Sequence, residues 1–302
     1  MRILFMGTPD FAVESLKALV EGGHTVCGVF TQPDKPRNRN KVTFSPVKEY
    51  ALSQNLAVYQ PVTVKDGEAM SIVRELDPEL IVAVAYGQVL PEEILNYPKF
   101  GSINVHASLL PKYRGAAPIN WAILNDEKTT GVSIMYMVRR LDAGDVIRVG
   151  ELALDNADAP TLTARLAALG GRELLTAIGE LAAGTATRTP QDEEQHTYAS
   201  MLSRELSPVD WTRPARAIDC QVRGLIPWPC ASTELEGRKL KVFATKPGRE
   251  TSAQPGTILA AGKVGIEVAC GDGKSLYITE LQAEGGKRMA AAAYLLGHPI
   301  QV

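Results

Sequence analysis

Cysteine is scarce in this chain, and the four it has (Cys27, Cys220, Cys230 and Cys270) are scattered. No two stand at metal-ligand spacing, so neither a zinc module nor a disulfide framework is encoded, and reduced structural thiols are expected. Histidine is equally sparse at four residues, and no His-Glu-x-x-His pattern offers a zinc site. Aromatics make up 6% and the formal net charge is -2, so global basicity gives no sign of nucleic acid; only a local basic surface could serve one. No apolar run reaches the roughly eighteen residues that a membrane span needs. The chain enters a strand at once, in Arg2-Ile-Leu-Phe-Met6, so no signal peptide is expected. A cytoplasmic protein without a metal is expected. Internal repeats and low-complexity tracts are absent as well.

At 302 residues and 45% hydrophobic, the chain can bury a full core and is expected to hold two domains. Its first half alternates strand and helix. Ile3 to Met6 reads as a buried strand and Gly7-Thr-Pro9-Asp10 as a turn into a helix. That helix carries Phe11, Ala12, Leu16 and Leu19 at helical spacing and stops at Gly22-Gly23. A second strand (25–30), a loop, and a helix opened by Ser45-Pro46 follow. Leu80-Ile-Val-Ala-Val84 is apolar on both faces, as central parallel strands are. A strand over 101–106, a helix over 118–124 and two more strands (131–137, 145–154) precede an amphipathic helix over 161–181. This βαβ rhythm predicts an α/β, doubly wound open sheet. From Gly184 to about Ser207 the chain turns polar and reads as a linker, and beyond it short strands between Gly and Pro suggest a small barrel. The expected division is 1–184, a linker over 185–206, and 207–302.

The turn after the first strand is Met6-Gly7-Thr8-Pro9. A dinucleotide wants a second glycine there, so that the backbone can approach the pyrophosphate, and a Walker A loop is missing too. What remains is a ligand at the carboxyl ends of the strands. Asn104 and His106 stand two apart in Gly101-Ser-Ile-Asn104-Val-His106-Ala-Ser108-Leu109-Leu110-Pro111, so on a strand both face one way while Ile103 and Val105 face the other. About thirty-five residues later comes Leu141-Asp142-Ala-Gly-Asp145. Alone, an Asn can cap a strand end, a His can be half-buried structure, and an Asp suits a turn. Together, an uncharged donor, a titratable base and a distant acid are parts for acyl transfer.

The segment Leu109-Leu-Pro-Lys-Tyr-Arg-Gly-Ala-Ala-Pro118 joins these motifs to Gly7-Thr-Pro-Asp-Phe11, Thr31-Gln-Pro-Asp34 and Val84-Ala-Tyr-Gly87. With Pro227-Trp-Pro229, Pro255-Gly-Thr-Ile258 and Gly297-His-Pro-Ile300, the set resembles the methionyl-tRNA formyltransferases over nearly all of the chain. The resemblance implies a Rossmann-like N-terminal domain that binds 10-formyltetrahydrofolate, and a C-terminal OB-like barrel that helps hold initiator methionyl-tRNA. It also implies a monomer and formyl transfer in translation initiation. Mapped by motif, the catalytic residues are Asn104, His106 and Asp142. The folate site is Ser108, Leu109, Leu110 and Pro111, joined by Val84, Tyr86, Gln88, Val89 and Arg140 along the pterin pocket. In these roles Asn104 donates to an oxyanion, a contact worth roughly 3 kcal/mol. Asp142 orients His106, which serves as a second donor or proton shuttle.

Lys35, Arg37, Arg39 and Lys41 put four cations into the eight residues 34–41. A charge run of this kind is ordinarily a solvated loop; the resemblance assigns it to the tRNA acceptor end. Where the family has Gly on both sides of the central basic residue, this chain has Asn38 and Asn40, which enter left-handed conformations less freely. From Leu206 on, twelve Lys and Arg stand against nine Asp and Glu, a mild excess suited to a tRNA backbone. The rivals are a formyltransferase acting on an amino sugar nucleotide or glycinamide ribonucleotide, and an idle folate- or RNA-binding module.

Overall fold

The computed structural model describes residues 1–37 and 41–302. Asn38, Arg39 and Asn40, and with them one of the expected tRNA contacts, lie outside the described residues. The described chain divides into two compact units. The first comprises Met1–Pro118, Thr129–Ala153 and Thr163–Ala199; the second comprises Ile119–Lys128, Leu154–Leu162 and Ser200–Val302. The division is therefore not contiguous along the sequence, and the polar stretch up to Ala199 belongs to the first unit.

Among the described residues, a seven-stranded sheet forms the centre of the first unit. Its strands are β1 (Arg2–Gly7), β2 (Thr25–Phe30), β3 (Val58–Tyr59), β4 (Leu80–Val84), β5 (Ser102–His106), β6 (Thr129–Tyr136) and β7 (Val146–Ala153). They lie in the order β7-β6-β5-β4-β1-β2-β3. The first five run parallel, and β6 and β7 add an antiparallel edge. The strand order reverses at β1 and β4, the doubly wound arrangement whose ligand cleft lies beyond the carboxyl ends of the strands.

Both faces of this sheet are covered, so β4 is buried throughout and β1 along all but its first residue. One face packs Ile3, Phe5, Val82, Val84, Ile103 and Val105 against α1 (Asp10–Glu21), α2 (Pro46–Ser53) and the long α6 (Ala159–Ala183). The other packs Leu4, Met6, Ile81 and Ala83 against α3 (Gly67–Leu76) and α4 (Glu92–Leu95). Local sequence sets the helix starts. Ser45 Oγ accepts the Lys48 N–H at 3.1 Å with Pro46 in the first turn, and Asp66 does the same for Ala69 at 3.3 Å. Gly22 caps the end of α1. The helix expected over 118–124 is α5 (Pro118–Leu124).

In the second unit the strands are β8 (Ala231–Leu235), β9 (Arg238–Glu250), β10 (Ile258–Ala261), β11 (Ile266–Ala269) and β12 (Lys274–Ala283). They pair antiparallel in the order β8-β9-β12-β11-β10, with Met289–Ala290 added on β12. The end strands β8 and β10 are not paired with each other among the described residues, as in the partly open barrels of the OB class. Helices α7 (Ala215–Gly224) and α8 (Ala291–Gly297) help close a core around Val222, Leu240, Val242, Ile266, Ile278 and Leu281. No helix among the described residues is long and apolar enough to cross a membrane.

Candidate active site

The pleat of β5 sorts its side chains as the two-residue period requires. Ile103 and Val105 enter the core on the α1 and α6 face, which leaves Asn104 and His106 on the other. Asn104 is half-buried, with Ala83 of β4 and Met135 of β6 as its neighbours in register. Among the described residues no group takes up its side-chain amide. His106, only 6% exposed, pairs in register with Ser133.

His106 stands between two oxygens. Its Nε2 donates to the Tyr113 carbonyl at 2.9 Å, which assigns the proton on that nitrogen because a carbonyl only accepts. Nδ1 faces Asp142 Oδ2 at 3.8 Å, longer than a hydrogen bond and typical of a catalytic contact that tightens only with substrate present. Asp142 is itself held. Its Oδ2 accepts the Gly115 N–H at 2.8 Å, and its backbone is left-handed, with φ 48°, a conformation Asp tolerates better than most residues. Two residues on, the turn passes so close to β6 that a Cβ on Gly144 would lie 1.8 Å from the Tyr136 carbonyl oxygen. Glycine is required there.

The loop after β5 is shaped by two serines. Ser133 Oγ accepts the Leu110 N–H at 3.0 Å and donates to the Ser108 carbonyl at 2.7 Å. Ser108 Oγ donates to the Lys112 carbonyl at 2.7 Å. The expected folate residue Ser108 thus spends its hydroxyl on the loop, and Leu109, Leu110 and Pro111 are left half-buried beside it. Ser133 was not anticipated. Nothing in a buried β6 serine signals a role until its register against His106 is known.

The other motifs meet at the carboxyl ends of β1, β2 and β4. Thr8 Oγ1 donates to the Tyr86 carbonyl at 3.0 Å and accepts the Gln32 N–H at 3.3 Å, while Gln32 Nε2 donates to the same carbonyl at 3.2 Å. Of the expected pterin-pocket residues, Val84 sends its side chain into the core on the face opposite Asn104, so only its backbone is available to a ligand. Tyr86 is buried, its hydroxyl has no hydrogen-bond partner among the described residues, and burial pushes the phenol up to about 12. Gln88 accepts the Val64 N–H at 2.9 Å and donates to the Val62 carbonyl at 3.3 Å. Val89 is 65% exposed. Of the cationic loop, Lys35 and Arg37 lie on one strand of a small antiparallel hairpin and Lys41 on the other.

Arg140 is engaged within the chain, where its guanidinium donates to Glu193. The same carboxylate meets Arg114, a fully buried cation, at 2.9 Å. Arg114 also donates twice to Gln191 Oε1, at 3.0 and 2.8 Å. Gln191 Nε2 in turn donates to the carbonyls of Asp142 and Gly144, both at 2.8 Å. Arg114 lies inside a motif read from the sequence, but Gln191 sits in the stretch read as a linker.

Comparison with known proteins adds to this geometry. A family model described as formyl transferase matches residues 1–178, and one for the formyl transferase C-terminal domain matches 201–299. The methionyl-tRNA formyltransferase of Acetivibrio thermocellus is 46% identical over 304 residues, covering 99% of this chain and 97% of that protein. The methionyl-tRNA formyltransferase of Bacillus subtilis is also 46% identical, with 99% and 96% covered. Among solved structures, an N-formyltransferase from Helicobacter canadensis in complex with folinic acid and dTDP-3-aminofucose has a TM-score of 0.69 at 17% identity, over 91% of this chain and 97% of that one. HypX from Aquifex aeolicus in complex with tetrahydrofolic acid has a TM-score of 0.65 at 21% identity, over 98% of this chain and 47% of that one. At such identities the two structures speak for the fold alone.

Proposed function

Because this chain belongs to the formyl transferase family, we propose that its site carries a formyl group from 10-formyltetrahydrofolate to the α-amine of initiator methionyl-tRNA, with Asn104, His106 and Asp142 as the groups that act on it. The activity is that of a methionyl-tRNA formyltransferase, in the service of translation initiation. A folate is the formyl donor. The observation that carries the assignment of roles is the convergence of an unspent amide, an imidazole and a carboxylate at the mouth of β5.

The amine nitrogen forms a bond to the formyl carbon, and the carbonyl electrons move onto oxygen. Asn104 donates an N–H to that oxygen and strengthens the contact as charge develops, a contribution of roughly 3 kcal/mol. As the oxygen returns its electrons, the bond from the carbon to the folate nitrogen breaks. The proton lost by the amine must reach that nitrogen. With Nε2 of His106 committed to Tyr113, Nδ1 is the nitrogen left to take and return it, and Asp142 faces Nδ1. An α-amine has a pKa of about 8, so much of it is already nucleophilic near neutral pH. Holding it against the formyl carbon therefore contributes more than removing its proton.

Half-buried Leu109, Leu110 and Pro111 beside the ends of β4 and β5 offer a flat heteroaromatic ring apolar contact. Lys35, Arg37, Arg39 and Lys41 address the acceptor end of the tRNA, and the basic excess after Leu206 addresses its backbone. A cytoplasmic monomer completes the reading. The test is direct. The protein is given 10-formyltetrahydrofolate with either initiator methionyl-tRNA or a dTDP-linked amino sugar. Formyl-methionyl-tRNA is the expected product, and formylation of the sugar alone would overturn the reading.

A further inference from the structure

Residues 187–199 lie between the two regions that the family models match, and their composition is that of a connector. The structure bonds them alongside the site. Thr189 exchanges both backbone hydrogen bonds with Val146 of β7, at 2.8 and 3.0 Å, and the Arg188 guanidinium sits 3.8 Å from the centre of the Tyr136 ring. Ten residues on, the Arg114 N–H donates to the Thr197 carbonyl and the Ala116 N–H to the Ala199 carbonyl, both at 2.9 Å. The segment is a strap fixed at both ends. Gln191 lies between those ends, against the turn that carries Asp142.

The Gln191 amide is fully used. Both N–H groups go to the turn, one to the carbonyl of Asp142 and one to that of Gly144, and the oxygen accepts twice from Arg114. Only a neutral amide satisfies both sides. A carboxylate would present charge to two carbonyls, and an ammonium would meet a fully buried guanidinium. The Asp142 side chain is aimed by one N–H, that of Gly115, which follows Arg114 directly. The same cation thus stands behind both restraints on the aspartate.

We infer that Gln191 is a positioning residue for this enzyme: it holds the 142–145 turn so that the Asp142 carboxylate stays in reach of His106, with Arg114 and Glu193 locking the amide in place. The inference rests on the catalytic reading of Asp142 above. It assigns the strap a part in turnover, which a connector between two domains does not have.

Gln191→Glu separates the two sides of the amide, since it keeps an acceptor for Arg114 and removes both donors to the turn. We expect kcat to fall roughly 10–100-fold, the scale of a small misplacement in an active site, with KM for the folate donor and the tRNA within about twofold. The pH–rate profile should change as it does in Asp142→Asn. The double variant Gln191→Glu with Asp142→Asn should turn over no more slowly than Asp142→Asn alone, because a residue that acts only through another adds nothing once that one is gone. Multiplied losses in the double variant, or a wild-type rate in Gln191→Glu beside an impaired Asp142→Asn, would overturn this inference alone. A wild-type rate in Asp142→Asn would sink the catalytic reading and this inference with it. If Gln191→Glu fails to fold, the half-exposed Glu193→Gln carries the test. A loss of a few-fold that vanishes in the Asp142→Asn background supports the inference, and an unchanged rate or a multiplied loss overturns it.

Discussion

Each unit of this protein contains a cluster of arginine and acid, and the two differ in what they hold. In the first unit, Arg114, Gln191 and Glu193 end on the turn of Asp142. In the second, Asp219 accepts from Arg223 at 2.8 Å and from Thr245 Oγ1 at 2.7 Å. Arg223 continues to the Ala157 carbonyl at 2.9 Å, and Arg216 reaches Asp126, also at 2.9 Å. These bonds tie the segments Ile119–Lys128 and Leu154–Leu162 to α7 and β9 within the second unit. The bonding chemistry is the same in both. What an ion pair does therefore depends on the group at its far end: a reacting carboxylate in one unit, ordinary backbone in the other.

Substitutions should separate these two consequences cleanly. The largest effect belongs to the reacting groups that the first unit carries. Asn104→Ala should lower turnover roughly 10²–10³-fold, the loss of one oxyanion donor, with no change in thermal midpoint, since its amide is not spent on the fold. Single-turnover rates beside a melting curve would show this, and a midpoint that fell in step with the rate would return Asn104 to a structural role. Asp219→Ala should do the reverse. It strands Arg223, which is 11% exposed, and breaking such a pair costs about 3 kcal/mol. A lowered urea midpoint with kcat intact below the transition is expected, and a lowered kcat in folded protein would erase the contrast.

Acid sharpens the comparison further. Arg114 and then Arg140 hold the Glu193 carboxyl at about 2, below the usual range. Arg216, with Lys128 behind it, holds Asp126 well below its ordinary value. For both groups the folded state favours the ionised form, so their stabilisation is complete above a carboxylate's ordinary value of about 4 and is lost as pH falls below it toward the depressed values. Glu193→Gln and Asp126→Asn should each be less stable than wild type at neutral pH, and each should lose less on acidification between about pH 4.5 and 2. Thermal melts across that window test both. A variant that kept the wild-type slope would show that its acid does not titrate with folding.

How much of this was legible in the sequence follows the range of the interactions. The two-residue period of β5 put Asn104 and His106 on one face, and the spacing of Ala12, Leu16 and Leu19 gave α1, because both patterns are local. Ser45 announced α2 through its own cap. The approach of Asp142 to His106 joins the end of β5 to the turn after β6, and only resemblance to a family put the two residues together. The strap escaped altogether. Its residues show no period, and the donors of Gln191 bond groups 47 and 49 residues away, so its polar composition alone implies a connector. The same shortfall hid α7, whose buried Ile218, Cys220 and Val222 follow a stretch dense in Pro, Trp and Arg.

The smallest effect tests the logic most closely. Thr245→Val removes one hydroxyl that donates to Asp219, at a cost of about 1 kcal/mol. In an Asp219→Ala background that donor has no acceptor left, and the same substitution should cost close to nothing. The cycle has the form proposed for Gln191 and Asp142, in which a second change is silent once its partner is gone. The two differ in the quantity that registers the coupling, which is the unfolding free energy in the second unit and kcat in the first. Coupling between Thr245 and Asp219 that appeared in kcat would mean that the second unit's cluster also reaches the chemistry. The contrast between the two clusters would then be one of degree.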